Sequence, residues 1–429
     1  MARGARRRGG RRLGRIDASL AVLLTALAFG GCAMGEHAAS LRLRDEIARI
    51  RSAGEPMTFG ELRGDQPSGD ADAAPDYRAA AVLVADVDSQ ELFDLRKAYQ
   101  AGASSCPPVP PRPELRERAR RLLSQAQPAL DSIDRAARKP ICYLPFNLEN
   151  GELPPFAPFR TAGALLSLRT LELSIAGRAD DAAASLVSSL RMLRVFDTEP
   201  MAIAYLVRLV VWVQASEGLP VVLSAGPLSE ASLGDLDEAL AHAEAPDYLK
   251  RTFEGERVFD MWYAAMSLGP DWPDEALRPA HAERPPFWKR ARLLREAGDH
   301  LAARAALVRA AEEPWPQVLE AIPAASPGSP EPPSFWDVAM ERTCQNLAAT
   351  RAGRVGVAIE RYRRRQGRLP TSLDELGSPR PVDPSTGRDL TYSRAQDGYV
   401  ASSIDSCART SDHVSWPAGV RVCLTAFDR

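Results

Sequence analysis

The segment 334–366 constrains the fold most, because its apolar residues follow a helical period without interruption. They recur at steps of three and four and share one helix face: Cys344, Ala348, Ala352, Val355, Ile359 and Tyr362. Ser334 and Asp337 have the spacing of a capping box. Gly367 can adopt the left-handed conformation that ends a helix, and Pro370 prevents its continuation. The segment therefore predicts one long helix followed by a sharp break.

A short helix and two paired strands are predicted after that break. A Thr or Ser at 371–372 can cap the short helix. Strand-like pieces follow at 390–393 and 399–403, and the Asp-Gly pair at 397–398 is typical of a hairpin turn. The C-terminal part of the chain is therefore predicted to combine one helix with a small antiparallel sheet.

Three phrases in this region carry a family resemblance. They are Gly-Arg-Leu-Pro-Thr-Ser-Leu-Asp-Glu-Leu at 367–376, Val-Asp-Pro-Ser-Thr-Gly-Arg-Asp-Leu-Thr-Tyr at 382–392 and Asp-Gly-Tyr-Val at 397–400. Their order resembles the globular end of the major pseudopilins of type II secretion, which implies a helix leading into a small antiparallel sheet. The chain lacks the pseudopilin assembly motif at its N-terminus, so no polymerisation is expected. The calcium-binding acidic cluster of that family also has no clear counterpart; Asp405 and Asp412 are the nearest candidates.

Further phrases extend the resemblance, among them Arg-Ser-Ala-Gly-Glu-Pro at 51–56 and Gly-Glu-Arg at 255–257. Their order is similar to that in large bacterial envelope proteins that couple a helical body to a pseudopilin-like tail. The resemblance implies an architecture and no activity.

The first 32 residues have the layout of an export signal. Seven arginines precede a short apolar core, and Gly30-Gly31-Cys32 follows it. This ending resembles a bacterial lipobox, which implies lipidation of Cys32; the alternatives are an ordinary cleaved signal and an uncleaved anchor. The formal net charge of −2 hides a basic start and an acidic remainder, which argues against nucleic-acid binding.

Five cysteines remain if Cys32 is lipidated. Cys407 and Cys423 are close enough in sequence for a bridge whose loop closure would stabilise the fold by about 3 kcal/mol. Cys106 and Cys142 are the candidates for a second bridge. Cys344 lies on an apolar helical face and is expected to be a buried free thiol. The chain contains no Cys-x-x-Cys, so zinc and thioredoxin chemistry are not expected.

Helical periodicity dominates the middle of the chain. Pro128 is expected to kink or divide a helix over 115–137, and Gly177 to close another, with Asp180 or Asp181 capping the next. This turn looks like a tetratricopeptide-type hairpin, and a second such turn is predicted at 298–303. The two lie too far apart for a tandem repeat.

We predict a mainly α fold, an irregular helical-hairpin array followed by a small α+β module of a helix and an antiparallel sheet. The predicted domains are a signal peptide with a lipobox-like end (1–32), an N-terminal helix and linker (33–74), a helical domain (75–313), a proline-rich linker (314–333) and the pseudopilin-like module (334–429).

Residues 201–213 form an apolar stretch in which only Arg208 is strongly polar. The stretch is too short to span a membrane and is predicted to be a core helix. A buried guanidinium needs a partner. Glu172, Glu217, Glu254 and Glu256 are available, and Glu256 is the partner chosen for a buried ion pair. The functional alternative is a clamp that binds the carboxylate of a ligand; the structural interpretation, a paired core arginine, is preferred.

No reaction centre is recognisable. The chain has no Gly-x-Ser-x-Gly elbow, no phosphate-binding loop, and no pair of histidines at metal-ligand spacing. Paired carboxylates of the kind used by glycosidases are harder to exclude; Glu149, Glu152, Glu172, Glu254 and Glu256 are candidates that pattern alone cannot assign. We therefore predict no catalytic residue, metal or cofactor.

The sequence favours a non-catalytic, membrane-anchored envelope lipoprotein that acts as an interaction or structural scaffold for envelope proteins. An envelope glycan hydrolase with paired carboxylates is one alternative. An accessory component of a secretion or pseudopilus-like system is the other, and only the C-terminal module points to it.

Overall fold

The computed structural model describes residues 34–65, 67, 69–103, 105, 108–145, 156–198, 200–244, 247–279, 283–322, 335–377, 380–404 and 419–423. The described chain is mainly α-helical, with one small antiparallel sheet near the C-terminus. The predicted fold class is confirmed.

The α-helices of the described residues are numbered along the chain. In order they are α1 (34–52), α2 (Phe59–Arg63), α3 (Ala74–Leu83), α4 (Ser89–Ala103), α5 (Pro113–Gln125), α6 (Gln127–Ala137), α7 (Ala157–Ile175), α8 (Ala179–Arg191), α9 (Ala202–Ser224), α10 (Glu230–Glu244), α11 (Tyr248–Leu268), α12 (Phe287–Ala310), α13 (Trp315–Ala321) and α14 (Phe335–Gln366). Strands β1 (Thr391–Ala395), β2 (Gly398–Ser402) and β3 (Gly419–Cys423) follow the helices.

The described residues form two compact units. The small unit contains residues 34–62 and Glu254–Ala306, and the large unit contains residues 63–253 and 307–423. Both are built from segments distant in sequence, so they differ from the predicted domains: the predicted helical domain is divided at 253, and its larger part joins the C-terminal module.

The small unit has its own apolar core. Residues of α1 recur at helical spacing and are buried, as Leu43, Ile47 and Ile50 show. They pack in one cluster with Met261, Leu268, Trp272 and Leu294. The turn predicted at 298–303 is absent, because α12 is continuous from Phe287 to Ala310.

Helix α7 lies at the centre of the large unit and packs against α4, α8 and α9. It is buried on nearly all sides because Leu165, Leu168 and Leu171 are accompanied by small residues on the other faces. Gly177 has φ 72° and ends the α7 region as predicted. The predicted cap of α8 is wrong, since Arg178 is its N-cap and makes no side-chain cap bond. Pro128 does divide its segment, as the second residue of α6.

The C-terminal module is built into the large unit. Helix α14 packs against α9 and α10, and β3 packs against both α9 and α14. A Cβ on Gly353 would lie 2.0 Å from Leu219 Cδ2, so the approach of α14 to α9 requires a glycine there. α14 ends at Gln366 before Gly367 (φ 65°), and Ser372 caps the short helix Leu373–Leu376, as predicted.

The three strands form an antiparallel sheet in the order β1-β2-β3. Tyr392 pairs with Ala401 and Ala395 with Gly398, so the hairpin turn is residues 396–397, one position before the predicted pair. Strand β3 was not predicted. It pairs with the buried strand β2, where Tyr399 faces Val422.

Candidate functional site

A groove of about 660 Å³ lies in the large unit. Residues of α5, α6, α7, α8 and α10 line it. We call it the arginine groove, because its lining includes Arg120, Arg138, Arg169, Arg178 and Arg191. The carboxylates in its lining are Asp134, Asp181 and Asp235. Guanidinium groups therefore outnumber carboxylates among the lining residues, although Arg120 is paired with Glu172 outside the lining.

One ion pair inside the groove is fixed by a hydrogen-bond network. The Arg169 guanidinium donates to both oxygens of Asp134, each at 2.8 Å, and its Nε donates to Ser185 at 2.9 Å. Ser188 Oγ also donates to Asp134 Oδ1 at 2.8 Å. Burial alone would raise the pKa of Asp134, but the Arg169 and Ser188 hydrogen bonds outweigh it, so this pKa lies below its ordinary value. Asp134 therefore stays ionised and holds Arg169 in place.

Two other guanidinium groups in the groove have spare donors. Arg138 follows α6 and is exposed; its charge helps to lower the pKa of Asp134, and no hydrogen bond ties it to another side chain of the described residues. Arg191 ends α8 and is 18% exposed; its nearest carboxylates, Asp235 and Glu238, both lie at 3.6 Å and are themselves exposed. The lining also includes small side chains of α8, such as Ala184 and Ser188. Arginine donors beside small side chains suit an anionic ligand that needs close approach.

Arg208 is buried, with 3% of its surface exposed, but its partners differ from the prediction. Its Nη2 donates to the carbonyl of Ala243 at 3.0 Å. The guanidinium carbon lies 4.2 Å from the ring centroid of Tyr248 and 5.2 Å from that of Trp212. The predicted ion pair with Glu256 is therefore wrong, because a carbonyl and two aromatic faces accept the charge instead. Glu256 pairs with Arg304 at 3.4 Å.

A cationic cluster surrounds Arg208. Burial, followed by the charges of Arg194, Arg208 and Arg191, lowers the pKa of His242 to about 4. Arg194 Nε donates to His242 Nε2 at 3.3 Å, which requires a neutral imidazole with a free lone pair. Burial raises the pKa of Asp197, and the nearby Arg208, Arg251 and Arg194 partly offset it. His242 is thus a neutral structural acceptor near pH 7 and is not poised to exchange protons there.

Glu172 is held by three donors. It accepts from Tyr99 Oη at 2.7 Å, from Arg116 at 2.9 Å and from Arg120 at 2.8 Å. Burial works to raise the pKa of Glu172, but these hydrogen bonds prevail and lower it. A general acid for glycoside hydrolysis needs the opposite shift. Glu149 and Glu152 lie outside the described residues.

The cysteine predictions are largely overturned where the described residues test them. Cys142 is a free, buried thiol, so the predicted bridge to Cys106 is wrong. Cys344 is disulfide-bonded, contrary to the expected free thiol, and Cys423 is disulfide-bonded as well. Cys32, Cys106 and Cys407 lie outside the described residues, as do Asp405 and Asp412. In the part of the chain that the structure describes, no group of three or more His, Cys, Asp or Glu could hold a metal ion.

Helix α9 is longer than predicted. It runs for 23 residues and is long and apolar enough to cross a membrane by length and composition. About 61% of its most apolar 18-residue stretch is buried inside the protein. The helix also carries the buried Arg208, and Glu217, which pairs with Arg96. These contacts are those of a core helix.

Comparisons with protein-family models, with curated proteins and with solved structures return no match for this chain. The arginine groove was not predicted from the sequence. Its signal is present on α8, where Asp181, Ala184, Ser188 and Arg191 recur at steps of three and four as a small and polar stripe. The walls contributed by α5, α6 and α10 come from distant segments, and no local pattern places them together.

Proposed function

We propose that this chain is a non-catalytic, membrane-anchored scaffold of the bacterial cell envelope that binds an acidic segment of a partner protein in the arginine groove. The observation that carries the proposal is the pair of guanidinium groups with spare donors, Arg138 and Arg191, beside the small side chains of α8. Arginine binds carboxylates through charge-assisted, often bidentate hydrogen bonds. The envelope location rests on the export signal and on Cys32.

The state of the groove carboxylates supports binding in preference to hydrolysis. Asp134 is fixed as an anion by Arg169, and Asp181 pairs with Arg178 at 2.7 Å. The lowered pKa of Asp134 is the opposite of what the protonated acid of a glycan hydrolase requires. Asp134 and Asp181 therefore serve to orient the arginine side chains of the groove.

The C-terminal module supports the scaffold part of the proposal. Its helix α14 fills the side of the large unit formed by α9 and α10. Arg354 links α14 to α10 by pairing with Asp237 at 3.1 Å and with Glu244 at 3.0 Å. In the proposed scaffold this module closes the helical body, and the pseudopilin-like tail of the sequence resemblance does not act as a free arm.

A peptide titration tests the proposed site. Fluorescence anisotropy of a labelled decaglutamate peptide is measured against the full chain and against a variant carrying Arg138→Ala and Arg191→Ala. We expect the double substitution to raise the Kd at least about tenfold, since each hydrogen bond to a charged group contributes about 1.5–3 kcal/mol. Binding should also weaken with salt.

Two controls make the titration specific. Arg292→Ala removes an arginine of the small unit whose side chain is 79% exposed, and it should leave the Kd unchanged. A decalysine peptide should not bind. Equal affinity of the wild type and the double variant for decaglutamate, or no binding by either, would contradict the proposed site.

A further inference from the structure

The start of α12 presents two large aromatic side chains to solvent. Phe287 and Trp288 are 52% and 68% exposed, and their rings meet edge to face with centroids 5.2 Å apart. Lys289 follows them and is also exposed. Exposed Trp and Phe side by side are unusual on a folded surface and indicate an interaction face.

This aromatic pair lies at the same end of the small unit as the first turn of α1. Arg290, two residues after Trp288, donates to Glu36 at 3.1 Å and pairs with Asp271 at 3.1 Å. Glu36 is itself two residues after Met34, which is 74% exposed. Two residues in a helix rise about 3 Å along its axis. Met34 and Trp288 each precede the Glu36–Arg290 ion pair by two residues on their own helices, so each lies within about one helical turn of that ion pair.

The chain N-terminal to Met34 reaches Cys32 after only two residues. Two residues span at most about 7 Å. An acyl group on Cys32 inserts into the bilayer, so it would hold the first turn of α1, and with it the start of α12, at the membrane surface. Tryptophan and other amphipathic aromatics favour that water–lipid interface.

A basic depression borders the same end. It has a volume of about 430 Å³, and its lining contains Arg44, Arg278 and Arg290 together with the carboxylates Glu36 and Asp271, which pair with Arg290. Arg44 is exposed and has no side-chain partner among the described residues. A free guanidinium there matches the phosphate of a glycerophospholipid headgroup.

We infer that Phe287 and Trp288 form a membrane-contact face that inserts at the headgroup level of a phospholipid bilayer and orients the small unit against it. The inference rests on the anchoring at Cys32 that is part of the proposed function. It adds a contact that anchoring alone does not require, because a lipid tail without such a face would leave the protein free to tilt.

Quenching by brominated lipid tests this face. The mature lipidated protein is reconstituted into vesicles of phosphatidylcholine and phosphatidylglycerol, with or without bromine on the acyl chains, and tryptophan emission is recorded. We expect brominated vesicles to quench the wild type, and Trp288→Phe to lose most of that quenching. Trp272→Phe is the matched control: Trp272 is fully buried, so this variant should retain the quenching.

Flotation of the vesicles separates the two ideas being tested. Failure of the protein to float with vesicles would refute the anchoring itself. Flotation with the same quenching in wild type and Trp288→Phe would overturn the membrane-contact face while leaving the anchor intact. Circular dichroism checks that both variants fold.

Discussion

At the scale of single residues, each buried charged side chain needs contacts that compensate for its lost hydration. The sequence predicted that a buried Arg208 needs a partner. It did not predict which one, because contacts with a backbone carbonyl and with aromatic rings follow no sequence pattern. Glu172 shows the complementary case. Three donors from α4 and α5 converge on it, and they come from segments more than 50 positions away.

The Glu172 network predicts a pH-dependent stability difference. Its pKa is lowered in the folded state, so its stabilising contribution is present above the unfolded pKa of about 4.3 and is lost as pH falls through the folded value. Glu172→Gln should therefore destabilise the protein at pH 7 by about 2–3 kcal/mol, because it leaves Arg116 without its charge partner. Denaturant unfolding at several pH values measures this.

The difference between wild type and Glu172→Gln should shrink below pH 4. A matched control is Glu296→Gln, which removes the exposed partner of Arg292 and should change stability little at any pH. A Glu172→Gln deficit of the same size at pH 3 and pH 7 would show that the carboxylate charge is not what stabilises the site.

At the scale of elements, helix periods were more predictable than helix ends and contacts. In the C-terminal module, α14 ends before the predicted glycine, and the short helix Leu373–Leu376 begins at the predicted Ser372 cap; Ser334, the predicted cap of α14, lies outside the described residues. The turn predicted at 298–303 failed because a glycine inside a helix need not stop it: α12 continues through Gly298, and a Cβ there would make only an ordinary contact with the backbone of Leu43, at 3.9 Å.

Gly353 gives the sharpest test of helix packing. Gly353→Ala should lower stability by about 1 kcal/mol, since overpacking against Leu219 costs about 1–3 kcal/mol and the helical preference of alanine returns at most about 1. Gly234→Ala on α10 is the matched control. Its Cβ would meet only the end of Arg361 at 3.7 Å, so this change should raise the melting temperature slightly. A stabilised Gly353→Ala variant would refute the close approach of α14 to α9.

At the scale of the whole molecule, the sequence predicted the class of fold and the composition of the C-terminal module, and it did not predict how the segments assemble. Both compact units join segments separated by many residues, and the arginine groove draws on five helices. Strand β3 and the bonded state of Cys344 escaped prediction for the same reason: each depends on a neighbour that is distant in the chain. Local patterns predict elements, and long-range packing decides sites.

The scaffold proposal and the membrane-contact face both depend on the anchor at Cys32. Identifying the N-terminal residue of the mature protein therefore tests both most directly. Intact-mass spectrometry of the protein from native membranes should find a chain that begins at Cys32 and carries a diacylglyceryl group. A chain that retains Met1 and fractionates with the cytosol would contradict the account.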